Sequence, residues 1–118
     1  MSQPQSPQAT WDEISRIVIA FPLLECDRCA IAVLTWLNAN DIPGIILRLK
    51  TKRRSDLYII SNRVPSGESI TENGTHYGVE VFGKVLDNLS WGGMSREDWL
   101  KDFNCRSGQF ILEELDSL

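Results

Sequence analysis

Asn40-Asp41-Ile42-Pro43-Gly44 divides this 118-residue chain into two regimes. A proline fixes its own φ and keeps the residue before it out of the helical region, so no helix runs through this point. Upstream, Trp11, Ile14, Ile17, Val18 and Phe21 recur at helical spacing. Thr10 is placed to cap that helix, with Glu13 at capping-box distance and Pro22 as its end. A second helix is expected from about Asp27 to Asn40, where Ala30, Ile31, Val33, Leu34 and Leu37 cover enough of the circumference to predict burial. Downstream, residues 44–50 and 55–62 read as strands joined by the basic stretch Lys50-Thr51-Lys52-Arg53-Arg54, a solvated hairpin end. Residues 66–75 carry turn chemistry, sharpest at Asn73-Gly74. His76 to Leu89 read as two strands around a tight turn at Phe82-Gly83. Ser95 opens a short helix with Asp98 at capping distance, and residues 108–118 satisfy helix and strand equally. Helices first and strands after them predict an α+β fold, with a mainly antiparallel sheet packed on the early helices.

A chain of this length builds one core. Residues 10–118 are therefore expected to form a single domain, with the polar residues 1–9 a disordered leader or linker. The net charge of −4 argues against a nucleic-acid surface built on bulk charge. No apolar run approaches the roughly 20 residues of a membrane helix, and the N-terminus lacks the apolar centre of a signal peptide. Cys26, Cys29 and Cys105 are odd in number, and the first two stand too close in sequence for a disulfide framework. That usage fits a reducing, cytoplasmic setting.

The residues that carry chemistry are few. His76 is the only histidine in the chain. If Phe82-Gly83 is a two-residue turn, Val81 faces Lys84, Gly78 faces Asp87, and His76 faces Leu89. His76 and Asp87 then share a side as a diagonal pair, roughly 7–8 Å apart at the backbone and within reach of each other's side chains. A carboxylate on one ring nitrogen fixes the tautomer and leaves the other nitrogen as a base. Asn88, by alternation, turns to the opposite side. A cysteine at a helix start meets unpaired N–H groups and the positive end of the dipole, which favour the nucleophilic thiolate. Cys26 has that place. Cys29, one turn further on, suits core packing. Glu25 and Asp27 flank Cys26 with negative charge, which opposes activation.

Other readings use the same residues. Cys26, Cys29, Cys105 and His76 make a Cys₃His zinc set with one plausible first pair, although the remaining spacing fits no common zinc pattern. A redox Cys-x-x-Cys wants a strand before it in a βαβ setting, and here a helix and a proline precede it. Two core cysteines and a structural histidine complete the alternatives.

Together, the motifs resemble a family. Cys26-Asp27-Arg28-Cys29-Ala30 and the helix it begins, closed at Ile42-Pro43-Gly44, resemble the Cys-bearing helix of transglutaminase-like thiol enzymes. His76-Tyr77-Gly78-Val79 and Asp87-Asn88 are similar to their His and Asp strands. Over about residues 11–104 the chain resembles papain fold toxin 2, a domain of bacterial polymorphic toxins. The resemblance implies a papain-like fold and a Cys-His-Asp triad, with Cys26 as nucleophile, His76 as base and Asp87 as its orienting partner. Cys29 is the alternative nucleophile, because the papain-like pattern can place a cysteine three residues before the reactive one. Asn88 is the second candidate to orient the histidine. The resemblance further implies a protein substrate inside a target cell and a cognate immunity protein. The chemistry would be proteolysis, glutamine deamidation or transglutaminase-type acyl transfer, and no cofactor or metal is expected. The chain departs from the pattern twice: no oxyanion glutamine stands among Leu23, Leu24 and Glu25, and Gly78 replaces an aromatic residue after the histidine. A catalytically inactive binding module that kept the fold is the alternative from another class.

Overall fold

The computed structural model describes residues 6–118, with backbone only for Ser90 and Trp91. Helix α1 spans Pro7–Val18 and α2 Cys26–Ala39. Strand β1 (Ile45–Thr51) follows, then the short β2 (Ile60–Ser61). The hairpin β3 (Thr75–Val81) and β4 (Lys84–Asp87) leads into β5 (Ser90–Met94). The short α3 (Arg96–Lys101), β6 (Phe103–Asn104) and β7 (Phe110–Leu115) complete the chain. The main sheet is five-stranded in the order β5-β4-β3-β1-β7, and β2 pairs with β6 in a separate ribbon. Every pairing is antiparallel, as the segregated pattern of helices and strands predicts.

The sheet lies between two apolar layers. Ile14, Val18, Val33 and Leu37 from the helices meet Ile46, Val79, Val81 and Leu86 from the strands. Leu47, Leu49 and Val85 belong to the second layer, with Ile59, Ile70, Trp99 and Phe103. Side chains alternate along a strand, so β1 sends Ile46 to one layer and Leu47 to the other.

Several local expectations need correction. The cap of α1 is Ser6, not Thr10. Ser6 Oγ accepts from the Ala9 N–H at 3.1 Å, and Pro7 fills a first-turn position that needs no donor. Thr10 is already inside the helix, its N–H bonded to the Ser6 carbonyl at 3.0 Å and its side chain buried. Residues 7–9, expected in a disordered leader, are therefore the first turn of α1, while 1–5 lie outside the described residues. Nor do residues 44–62 make a hairpin. β1 is taken on both edges, by β3 and by β7, so residues 55–62 yield only the short β2. They cross the second face instead, burying Ile59, whose carbonyl accepts from the Ile70 N–H at 2.8 Å. The ambiguous C-terminal segment is strand β7, where Glu113 holds Arg48 at 3.0 and 3.2 Å and Lys50 at 3.3 Å. β5 gave no strand signal in the sequence. It is rich in glycine, and Gly92 and Gly93 both take positive φ.

Among the described residues no helix is long and apolar enough to cross a membrane.

Candidate active site

The hairpin turn sets the site's geometry. Phe82 and Gly83 both adopt positive φ, 48° and 81°, the pairing that a two-residue turn needs to match strand twist. Val81 consequently faces Lys84 and Val79 faces Leu86. The register places Asp87 diagonal to His76, and the side chains meet: Nε2 of His76 lies 2.9 Å from Oδ2 of Asp87. Asn88 faces away, its amide donating to the Pro22 carbonyl at 2.8 Å in the turn that precedes α2.

Asp87 is fully buried and heavily partnered. Its Oδ2 also accepts from the indole N–H of Trp99 at 2.9 Å and from Arg63 Nη2 at 2.9 Å. Its Oδ1 accepts from Arg63 Nη1 at 2.7 Å and from the Leu89 N–H at 3.2 Å. Burial alone would push this carboxyl up, but the hydrogen bonds and charges of His76 and Arg63 prevail and hold it well below the usual carboxylate range. Arg63 is anchored in turn by Asp102, whose Oδ2 accepts from Nε at 2.8 Å and from the Ser61 hydroxyl. The Phe103 ring lies 5.5 Å from the guanidinium and 5.2 Å from the imidazole.

Gly78 explains how the indole reaches the carboxylate. A Cβ there would stand 2.8 Å from Val85 Cγ1 and 2.9 Å from Trp99 Cζ2. The space beside Gly78 is filled by Trp99, which enters from α3.

His76 is wholly buried, with one ring nitrogen committed to Asp87 and the other, Nδ1, without a hydrogen-bond partner among the described residues. Burial disfavours the imidazolium. The hydrogen bond to Asp87 and the interaction with the Cys26 side chain outweigh it, raising the ring's pKa to about 9. Cys26 is the first residue of α2, and no side chain caps that terminus. The N–H groups of its opening turn lack helical acceptors as a matter of helix geometry. Cys26 also lines a cleft of about 260 Å³, together with Leu24, Asp27, Glu72, Asn73 and Tyr77. Leu24, at φ 74°, turns the chain sharply just before the helix.

Cys29 is a different environment one turn away. It packs in the helix–sheet layer, and burial, then Asp87, then Cys26 push its thiol up to about 12. A thiol so placed is a core side chain. Cys105 stands apart, in a second pocket with Asp56 and Asn104, its Sγ 3.5 Å from the Gln109 carbonyl that accepts from it. The Cys₃His zinc set is thus not brought together: among the described residues no three His, Cys, Asp or Glu side chains could share a metal ion. The reason is topological, since Cys105 follows β6 and lies in a separate pocket.

Arg63, Trp99 and Asp102 escaped the sequence reading. Arg63 lies in an irregular loop with no motif around it. Trp99 offers one retrospective signal, because a buried indole N–H calls for an acceptor.

The family model of papain fold toxin 2 matches residues 9–104. The chain belongs to that family. The matched span runs from α1 through β6 and contains Cys26, His76 and Asp87, so this is a toxin domain with an α+β, papain-like fold. β7, which closes the outer edge of β1, lies beyond it. No curated protein and no solved structure matches the chain.

Proposed function

We propose that this toxin domain is a cysteine enzyme acting on amide groups of protein substrates through Cys26, His76 and Asp87. The observation that carries the reading is His76 itself. It is fully buried, held by Asp87 through Nε2, and its free Nδ1 belongs to a ring that interacts with Cys26 at the wall of an open cleft. The large majority of buried polar atoms are hydrogen-bonded, so a buried ring nitrogen left unpartnered beside a thiol supports a chemical role.

In the proposed reaction Cys26 Sγ attacks the amide carbonyl carbon as the thiolate, its proton already carried by His76 Nδ1 in the imidazolium. N–H groups at the start of α2 receive the developing oxyanion in place of a glutamine amide. As the C–N bond breaks, His76 returns the proton to the departing nitrogen and a Cys26 thioester remains. A water molecule, deprotonated by the same nitrogen, then attacks the thioester. The carboxylic acid leaves, and Sγ is again a thiolate beside the imidazolium. The departing group is a peptide amine in proteolysis and ammonia in glutamine deamidation, and an amine replacing water gives transamidation. Asp87 keeps the ring oriented and stabilises its charged form.

The first test is residue-resolved alkylation of the intact protein with iodoacetamide, read by mass spectrometry. Cys26 is expected to react faster than a free cysteine, and His76→Ala to slow it at least tenfold. Equal, slow reaction at all three cysteines with no effect of His76 would overturn the proposal and leave a binding module. Once a substrate is in hand, full activity of both Cys26→Ala and His76→Ala would do the same.

A further inference from the structure

The proposed chemistry makes no use of the charge in the cleft beside Cys26. Asp27 stands next to the nucleophile on the first turn of α2, and Glu72 lies in the loop before β3. Both line the cleft and both are exposed. No ion pair is formed by either among the described residues, and no lysine or arginine lines the cavity. Nearby cations are turned to other carboxylates: Arg28 to Glu25 at 3.9 Å, Arg48 and Lys50, opposite Tyr77 and Thr75 of the cleft wall, to Glu113 at 3.0 and 3.3 Å, and Arg63 to Asp87 and Asp102 at 2.7 and 2.8 Å. The cavity is the one that the proposed nucleophile Cys26 lines. The buried Nδ1 of His76 is unpartnered, on a ring that interacts with the Cys26 side chain lining the cleft.

We infer that the cleft takes a basic stretch of polypeptide, with a lysine or arginine beside the residue whose amide carbonyl meets Cys26. The inference rests on the proposed function for the identity of the reacting sulfur. The cation lies between Asp27 and Glu72, and its aliphatic stem runs along Leu24 and the half-buried Tyr77. A volume of about 260 Å³ is on the scale of one long side chain with its peptide unit, not of a folded surface. The two kinds of charge in the site serve different atoms. The start of α2 is positive where an oxyanion forms, whereas Asp27 and Glu72 are negative where the flanking side chain lies. The same carboxylates repel phosphates, which excludes a nucleic-acid strand as occupant, and they disfavour acidic peptides.

The test compares two methanethiosulfonates of similar size on the full chain, one bearing a trimethylammonium group and one a sulfonate. Each transfers its thioalkyl group to Cys26 as a disulfide and releases methanesulfinate. Rates at Cys26 are resolved by mass spectrometry, divided by the rates of the same reagents with a small cysteine peptide, and referred to the neutral methyl reagent. The cationic reagent is expected to lead the anionic one by about fivefold or more at low salt. That ratio should collapse toward one at about 0.5 M salt and in the double variant Asp27→Asn, Glu72→Gln. A ratio near or below one at low salt overturns the inference, as does a ratio that survives both salt and the double variant. The neutral reagent separates the two ideas. If Cys26 reacts with it no faster than the peptide and His76→Ala changes nothing, the proposed function fails, while the charge ratio still reports on the cleft.

Discussion

Replacing Asp87 with asparagine isolates what the buried carboxylate does. The substitution keeps the shape but converts one acceptor oxygen into a donor. If the remaining oxygen stays toward His76 and Trp99, the new NH₂ confronts Arg63 Nη1 and the Leu89 N–H, now 2.7 and 3.2 Å from Oδ1. The opposite orientation confronts three donors instead: His76 Nε2, Trp99 Nε1 and Arg63 Nη2. Either way Arg63 loses one of its two carboxylates with only 15% of its side chain exposed. Removing one partner of a buried ion pair costs about 3–5 kcal/mol, and because Asp102 still holds Nε, the lower end is expected. His76 changes as well. Its shift from 6.5 to about 9 corresponds to roughly 3 kcal/mol at about 1.4 kcal/mol per unit. Without the carboxylate, burial pushes it down against the Cys26 interaction alone, so the ring should titrate well below about 9. As the only histidine in the chain, it gives a single imidazole signal, and its NMR titration is unambiguous. Urea unfolding at neutral pH measures the stability loss in parallel. A variant whose histidine still titrates near 9, or that loses under about 0.5 kcal/mol, would refute the argument that Asp87 governs this site.

The wild-type protein should show the same linkage from both sides. The His76 contribution is complete below its unfolded pKa near 6.5 and is lost as pH rises through about 9; urea midpoints across pH 6–10 should fall on the alkaline side. Asp87, held below its ordinary range, contributes stability that is present above about pH 4 and lost on acidification. Gly78→Ala places a methyl group 2.8 Å from Val85 and 2.9 Å from the Trp99 indole. Overpacking of this kind costs about 1–3 kcal/mol, and a change in tryptophan fluorescence should accompany it. Ser6→Ala removes the side-chain cap of α1 and should cost about 1 kcal/mol, whereas a loss confined to Thr10→Ala would restore Thr10 as the cap.

What was legible in the sequence is local or follows from period two. The Phe82-Gly83 turn fixes a register, alternation then places His76 and Asp87 on one side, and the 2.9 Å contact follows from those facts. A proline stop and a polar start likewise locate α2 to within a residue and put Cys26 at its head. The choice between Cys26 and Cys29 needed more, because exposure and desolvation belong to the packed state. One thiol lines a cleft, and the other is pushed to about 12 by burial. Pairing partners were out of reach for a similar reason. Residues 55–62 have strand-forming side chains, but β1 bonds β3 and β7, segments far along the chain, and leaves them only the ribbon with β6. Arg63 and Trp99 arrive from a loop and a short helix with no spacing that links either to Asp87. Local propensity and alternation determined the hairpin and the head of the helix. Long-range packing alone decided which carboxylate is shared, which of the two neighbouring cysteines lines the cleft, and which charges stand beside it, because those contacts join residues whose separation in sequence carries no period.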